Sequence, residues 1–294
     1  MRFTGLSVFA ITPANAAGVV VAEDFARIIE RICSTGAASI GVLGSTGGFA
    51  YFDAAQRQRA IEIAVEASAG RVPIVAGIGA LRTDAVLALA RDAAAAGADA
   101  LLLPPMAYTP LLEGEVFDLF SAAASASDLP LCIYNNPTTT RFVFSHALIE
   151  RLAGLDTMAA IKMPAPAGGT IAEELVELRR STAGRLAIGY SGDTKLAEAL
   201  ASGADCFFSA LGGILPEEFV ALSQAVQSND PVARAAAEQR VAGLWPLLAK
   251  YGGLRLSYAF ADRLGLTRTQ PPLPISPISG AALSEIDAVL AQLA

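Results

Sequence analysis

Eight short apolar runs, each followed by a stretch of helical period, constrain this chain more than any other feature. The runs fall at residues 7–11, 39–43, 73–76, 100–103, 131–134, 158–162, 186–190 and 205–209. The helical stretches fall at 24–35, 53–69, 83–96, 113–127, 145–153, 170–181, 194–202 and 216–227. In the first of these Ile28, Ile29 and Ile32 share one face, and Asp53 offers an N-cap to the second. The runs are apolar throughout instead of alternating, which marks strands buried on both faces. Strand-then-helix order makes the class α/β, and the count predicts closure into a (β/α)8 TIM barrel. An open doubly wound sheet is the alternative, but Thr12-Pro13-Ala14-Asn15 after the first run is no glycine-rich phosphate turn.

After Asn229-Asp230-Pro231 the rhythm changes. Residues 232–250, 254–264 and 284–293 read as three helices without strands between them, and the proline-rich stretch 271–277 joins the last two. The expected organisation is a catalytic barrel over 1–228 and a C-terminal three-helix extension over 229–294.

Composition narrows the function classes. At 53% hydrophobic and 17% charged the chain has ample core material and is not disordered. A net charge of -7 with no basic patch argues against nucleic acid as a partner. No apolar run reaches the roughly 18–20 residues of a membrane span, and Thr12-Pro13-Ala14-Asn15 interrupts any signal-peptide pattern. Cys33, Cys132 and Cys206 lie far apart in apolar surroundings, so they read as buried small residues, and a cytoplasmic location is expected. His146 is the one histidine, which excludes a metal site built on several imidazoles; it reads as a first-turn helix residue and not a catalyst.

In a parallel barrel the loops after the strands gather at one end, and that end carries the chemistry. Lys162 closes the sixth run, Met158-Ala159-Ala160-Ile161-Lys162, while Lys195 and Lys250, the other two lysines, sit in helical patterns. Burial disfavours an ammonium, and a neutral, placed lysine amine attacks ketones; the plainer alternative is a lysine reaching out of a sheet end. Tyr134 ends the fifth run, one strand away and so about 4.8 Å across the sheet. Gly44-Ser45-Thr46-Gly47-Gly48 follows the second run, across the barrel mouth, and offers hydroxyls and N–H groups as a nest for a carboxylate. A lysine for a ketone, a nest for a carboxylate and a phenol for a proton make a site for a 2-oxo acid.

These motifs, Gly44-Ser45-Thr46-Gly47, Tyr134-Asn135-Asn136-Pro137, Ala160-Ile161-Lys162 and Ser191-Gly192-Asp193, resemble the signatures of the dihydrodipicolinate synthase and N-acetylneuraminate lyase family, in the family's order, across nearly the whole chain. The resemblance implies a Schiff-base lyase acting on pyruvate and an aldehyde, usually a homotetramer, with no metal or organic cofactor. It makes Lys162 the imine lysine and Tyr134 the proton relay, with Ser45 and Thr46 contacting the pyruvyl carboxylate beside Gly47. Gly192 and Phe208 would line the pyruvate pocket.

The departures concern the acceptor. Thr139 stands where dihydrodipicolinate synthases usually carry an arginine, and Arg141 is the nearest one. Met106 and Ala107 replace a tyrosine pair, with Tyr108 one residue late; Gly48 replaces a glutamate, and Met163 an acidic residue. An acceptor side built from Thr139, Tyr108, Met163 and the 164–169 loop has no fixed positive charge, so the imine chemistry carries over better than dihydrodipicolinate synthesis. The alternatives are a dehydratase or decarboxylating dehydratase of a 2-oxo sugar acid through the same imine, and a non-catalytic keto-acid-binding barrel.

A mean hydropathy of +0.48 is high for a soluble monomer of this size and implies apolar surface buried between subunits. A dimer at least is expected, and a tetramer by resemblance. Light scattering at micromolar concentration tests this, and a monomer there refutes it.

Overall fold

The computed structural model describes residues 1–228 and 230–293. Eight parallel strands close into one barrel in sequential order: β1 Gly5–Phe9, β2 Ser39–Val42, β3 Ile74–Gly77, β4 Ala100–Leu103, β5 Leu131–Tyr134, β6 Met158–Pro164, β7 Ala187–Ser191 and β8 Cys206–Ser209. β1 pairs with β8 through Gly5↔Cys206 to Val8↔Ser209, which closes the ring. The expected α/β barrel is therefore the observed one. β1 starts and ends two residues earlier than expected, because Ala10 donates the last strand-like bond to Gly41 and Ile11 is buried beyond the ladder.

Two separate apolar clusters follow from strand alternation. One lies between the strands and the surrounding helices, and includes Ile40, Val42, Leu101, Ile133 and Ile161. The other fills the barrel lumen with Phe3, Phe9, Val75, Ala100, Leu102, Cys132, Tyr134, Ala160, Cys206 and Phe208. Strands of four to seven residues are thus apolar on both faces, as their sequences required. Cys132 and Cys206 are buried free thiols in the lumen, and burial pushes Cys132 up to about 12. Neither is a nucleophile at neutral pH.

The helices start where local chemistry tells them to. Asp53 accepts from the Gln56 N–H at the head of Ala54–Ser68, and Thr170 with Glu173 forms a capping box at the head of Ile171–Ser181. His146 is the first residue of His146–Leu152, its Nδ1 lying 3.3 Å from Glu177, away from the lumen.

The extension needs a correction. In place of three helices it has, among the described residues, four: Pro231–Val241, Leu244–Tyr251, Gly253–Arg263 and Ala282–Leu293. The apolar period runs on through 232–250, but Gly243 is a poor helix former and Pro246 lacks an N–H, so the helix stops and restarts with Pro246 in the new first turn. The expected start of the extension, Asn229, and the final Ala294 lie outside the described residues. The extension is tied to the first strand–helix unit: Tyr258 donates to the Thr12 carbonyl (2.8 Å), Thr267 to Asp24 (2.6 Å) and Arg27 to the Leu266 carbonyl (2.8 Å). Among the described residues no helix is long and apolar enough to cross a membrane.

Gly77, at the end of β3, lies so near the β2 loop that a Cβ there would sit 1.9 Å from the Leu43 carbonyl oxygen. That oxygen belongs to backbone and has no rotamer to escape into. Gly77→Ala is expected to cost about 3 kcal/mol, the upper end of ordinary overpacking. Gly114→Ala, where a Cβ meets nothing within 4 Å, should stay within about 1 kcal/mol of wild type. Denaturant unfolding of the pair checks both, and equal midpoints refute the packing argument.

Candidate active site

Lys162 lies on β6 in register with Tyr134 on β5 and Gly189 on β7. It is 6% exposed. Its Nζ sits over three aromatic rings, 3.9 Å from the centroid of Phe9, 4.2 Å from Tyr134 and 5.5 Å from Phe208. Two glycines make room for these rings. A Cβ on Gly41 would lie 2.4 Å from the Phe9 ring, and one on Gly189 would lie 2.5 Å from Phe208. A side chain at either position would clash with the ring beside it. The lumen therefore holds one amine in an aromatic box toward the carboxyl end of the barrel.

The Tyr134 hydroxyl is held from two sides. Ser45 Oγ, from the loop after β2, is 3.2 Å away, and Asn136 Nδ2 donates to it at 3.0 Å. Burial pushes the phenol up, but the positive charge of Lys162 and the hydrogen bonds to Ser45 and Asn136 outweigh it, so Tyr134 titrates below the usual tyrosine value. A phenol that ionises early beside an amine can take and return protons at a carbon adduct of that amine.

The loops that frame this pair are anchored to one another. Asp193 is 3% exposed and accepts from the N–H groups of Ala210 and Leu211, which ties the loop after β7 to the one after β8. Burial pushes its carboxyl up, while those N–H groups act against the shift. Gly192, before it, is exposed with φ +95°, and Phe208 is 1% exposed. Thr46 and Gly47 are buried in the β2 loop, where a Cβ on Gly47 would lie 2.9 Å from the Leu43 nitrogen and 3.1 Å from the Ala10 carbonyl oxygen.

Beside Ser45 opens a cavity of about 290 Å³ lined by Gly48, Phe49, Ala50, Tyr51, Pro104, Met106, Thr139, Thr140, Leu254 and Ile275 as well as Ser45. Thr139 lines this cavity. Three other groups expected on this side do not line the cavity within this chain. Met163 faces away from the lumen, because Lys162 faces into it and strand neighbours alternate; it is 5% exposed and packs in the outer cluster. The 164–169 loop lines none of the cavity. Tyr108 is 92% exposed and is not brought to the site within this chain. Arg141 is exposed with φ +56° and does not line the cavity either.

Sequence reading missed Phe9, Asn136, Leu254 and Ile275. Alternation from Ser7 put Phe9 on a lumen face in principle. Nothing local marks Leu254 or Ile275, whose approach depends on how the extension folds back.

The Tyr134 environment sets a pH test. Lys162 favours the phenolate, so Lys162→Met leaves burial opposed by hydrogen bonds alone. The wild type, with six tyrosines, should show one tyrosinate step below the ordinary range; it should move to higher pH in Lys162→Met and vanish in Tyr134→Phe. Ultraviolet titration reads all three, and a step unmoved by Lys162→Met contradicts the coupling.

Comparison with known proteins agrees with the fold. The model of the dihydrodipicolinate synthetase family matches residues 2–293. A 4-hydroxy-tetrahydrodipicolinate synthase of Hyphomonas neptunium is 30% identical, with 93% of each chain covered. The solved dihydrodipicolinate synthase of Agrobacterium tumefaciens is 45% identical with a TM-score of 0.97, covering 100% of this chain and 99% of that one. That of Aquifex aeolicus is 25% identical with a TM-score of 0.90, covering 99% and 98%. With a family match over the length of the barrel and its extension, the chain belongs to the dihydrodipicolinate synthetase family and is a lyase of the class I, pyruvate-dependent aldolase type.

Proposed function

We propose that the chain makes or breaks a carbon–carbon bond between pyruvate and an uncharged aldehyde through an imine on Lys162. The observation that carries this is the Lys162 amine over the Tyr134 ring at 4.2 Å, with Ser45 on the same phenol at 3.2 Å. In this reading Nζ attacks C2 of pyruvate and water leaves to give the imine. The Tyr134 phenolate takes a C3 proton to give an enamine, whose C3 attacks the aldehyde carbon. The carbonyl electron pair becomes an alkoxide that takes a proton from Tyr134, and water then hydrolyses the imine, freeing a 4-hydroxy-2-oxo acid and the amine. Ser45, Thr46 and the Gly47 backbone receive the pyruvyl carboxylate, and Gly192 and Phe208 border the same pocket. Asn136 and Ser45 keep the phenol aimed.

A rival reading comes from the relatives, which are named for 4-hydroxy-tetrahydrodipicolinate synthesis. That reading needs a partner for the carboxylate of aspartate semialdehyde. Thr139 offers only a hydroxyl, and Arg141 is turned to solvent. A missing charge-assisted bond costs about 1.5–3 kcal/mol, which is more than tenfold in rate.

Borohydride added with pyruvate should fix one reduced pyruvyl group on Lys162, and Lys162→Ala should abolish it. Labelling at Lys195 or Lys250 overturns the assignment. Tyr134→Phe should keep the fold and lower turnover by about 10²–10⁴. With pyruvate fixed, kcat/KM for aspartate semialdehyde should fall below that for an uncharged aldehyde; an advantage of ten or more for aspartate semialdehyde supports the rival.

A further inference from the structure

The cavity beside Ser45 is built from two distant parts of the chain. Its inner end is Ser45, one hydrogen bond from Tyr134. Its inner walls are Phe49 and Pro104, both buried, with half-buried Met106. Its outer wall is Leu254, at the start of Gly253–Arg263, and Ile275, from the proline-rich connection that follows. Among the described residues no charged side chain lines it. Phe49 is backed by Arg57, whose guanidinium lies 5.5 Å from the ring while donating to the Gly77 and Gly79 carbonyls, so that this wall is fixed.

The polar groups are few and mostly engaged. Thr140 donates to the Asn136 carbonyl at 2.9 Å, and Ser45 is paired with Tyr134. Thr139 makes a long contact of 3.4 Å with that same carbonyl, and Tyr51 is 45% exposed. A polyhydroxylated acceptor would bring more hydroxyls than these groups can satisfy. Each one buried without a partner costs about 1–3 kcal/mol, so three such groups would cancel the gain from burying the rest of the molecule. An acceptor with an aliphatic or aromatic body carries no such penalty. It would lay that body against Leu254, Ile275, Met106 and Phe49, with its carbonyl oxygen toward the Tyr134 hydroxyl.

We infer that the second substrate is an apolar aldehyde, and that Leu254 and Ile275 of the C-terminal extension determine this choice. The inference rests on the imine reading above and narrows its acceptor. The bond formed joins pyruvate C3 to the aldehyde carbon, so that the product is a 4-hydroxy-2-oxo acid with an apolar group on C4.

Two measurements keep the inference and its foundation apart. Borohydride capture of pyruvate on Lys162 tests the imine alone. With pyruvate saturating, kcat/KM is then compared for benzaldehyde, isobutyraldehyde, glyceraldehyde and aspartate semialdehyde. One of the two apolar aldehydes should exceed both polar ones by tenfold or more. Leu254→Asn and Ile275→Asn should each lower the apolar-to-glyceraldehyde ratio about tenfold, as expected for losing one apolar contact in a pocket. The ratio is the readout because a general loss of fold lowers both values alike, and Leu254→Ile should restore it. Capture on Lys162 together with a preference for glyceraldehyde or aspartate semialdehyde overturns the inference and leaves the imine standing. A ratio unmoved in both asparagine variants removes Leu254 and Ile275 from the selection.

Discussion

An amine inside a box of aromatic rings is the interaction on which the carboxyl end of this barrel depends. Lys162 is nearly inaccessible, and Phe9, Tyr134 and Phe208 surround its Nζ. Removing a full charge from water costs several kcal/mol, and a desolvated ring contact returns about 2 kcal/mol or more. The rings and the cost are thus of the same order. The glycines at Gly41 and Gly189 read in this light as clearances, since a Cβ at either would clash with a ring of the box. A barrel built for stability alone would fill those positions.

The phenol is the second dependent part. It stands beside the lysine because β5 and β6 pair Tyr134 with Lys162, and its hydroxyl is caught by groups from two different loops. The early titration of Tyr134 has a clear cause, since burial alone acts in the opposite sense. Electrostatics and register thus act together. The same strand pairing that closes the barrel brings the charge that tunes the phenol.

Most of the architecture was legible in the sequence because parallel strands buried on both faces leave uninterrupted apolar runs, and because Asp53 and Thr170 announce their helices. The juxtaposition of Lys162, Tyr134 and Ser45 was legible for a related reason: strand order and alternation alone put them at one mouth. What escaped was structure shorter than one period or longer than one unit. The single helical turns Phe49–Tyr51, Pro137–Thr140, Asp193–Lys195 and Leu211–Gly213 follow four of the strands and are too brief to show a helical pattern. Met163 was assigned to the acceptor side by nearness in sequence, although alternation turns it outward. Leu254 and Ile275 reach the mouth only through the return of the extension, which no local pattern encodes.

That return divides the labour of the site along the chain. The groups proposed to engage pyruvate sit on strand ends and short loops, locked by ring closure. The outer wall of the cavity beside Ser45 sits on a segment that begins after the barrel is complete and is held to it by contacts such as Tyr258 with Thr12. Such a wall can drift. Substitutions in the extension would reshape the cavity beside Ser45 without touching the strand ends that carry Lys162 and Tyr134.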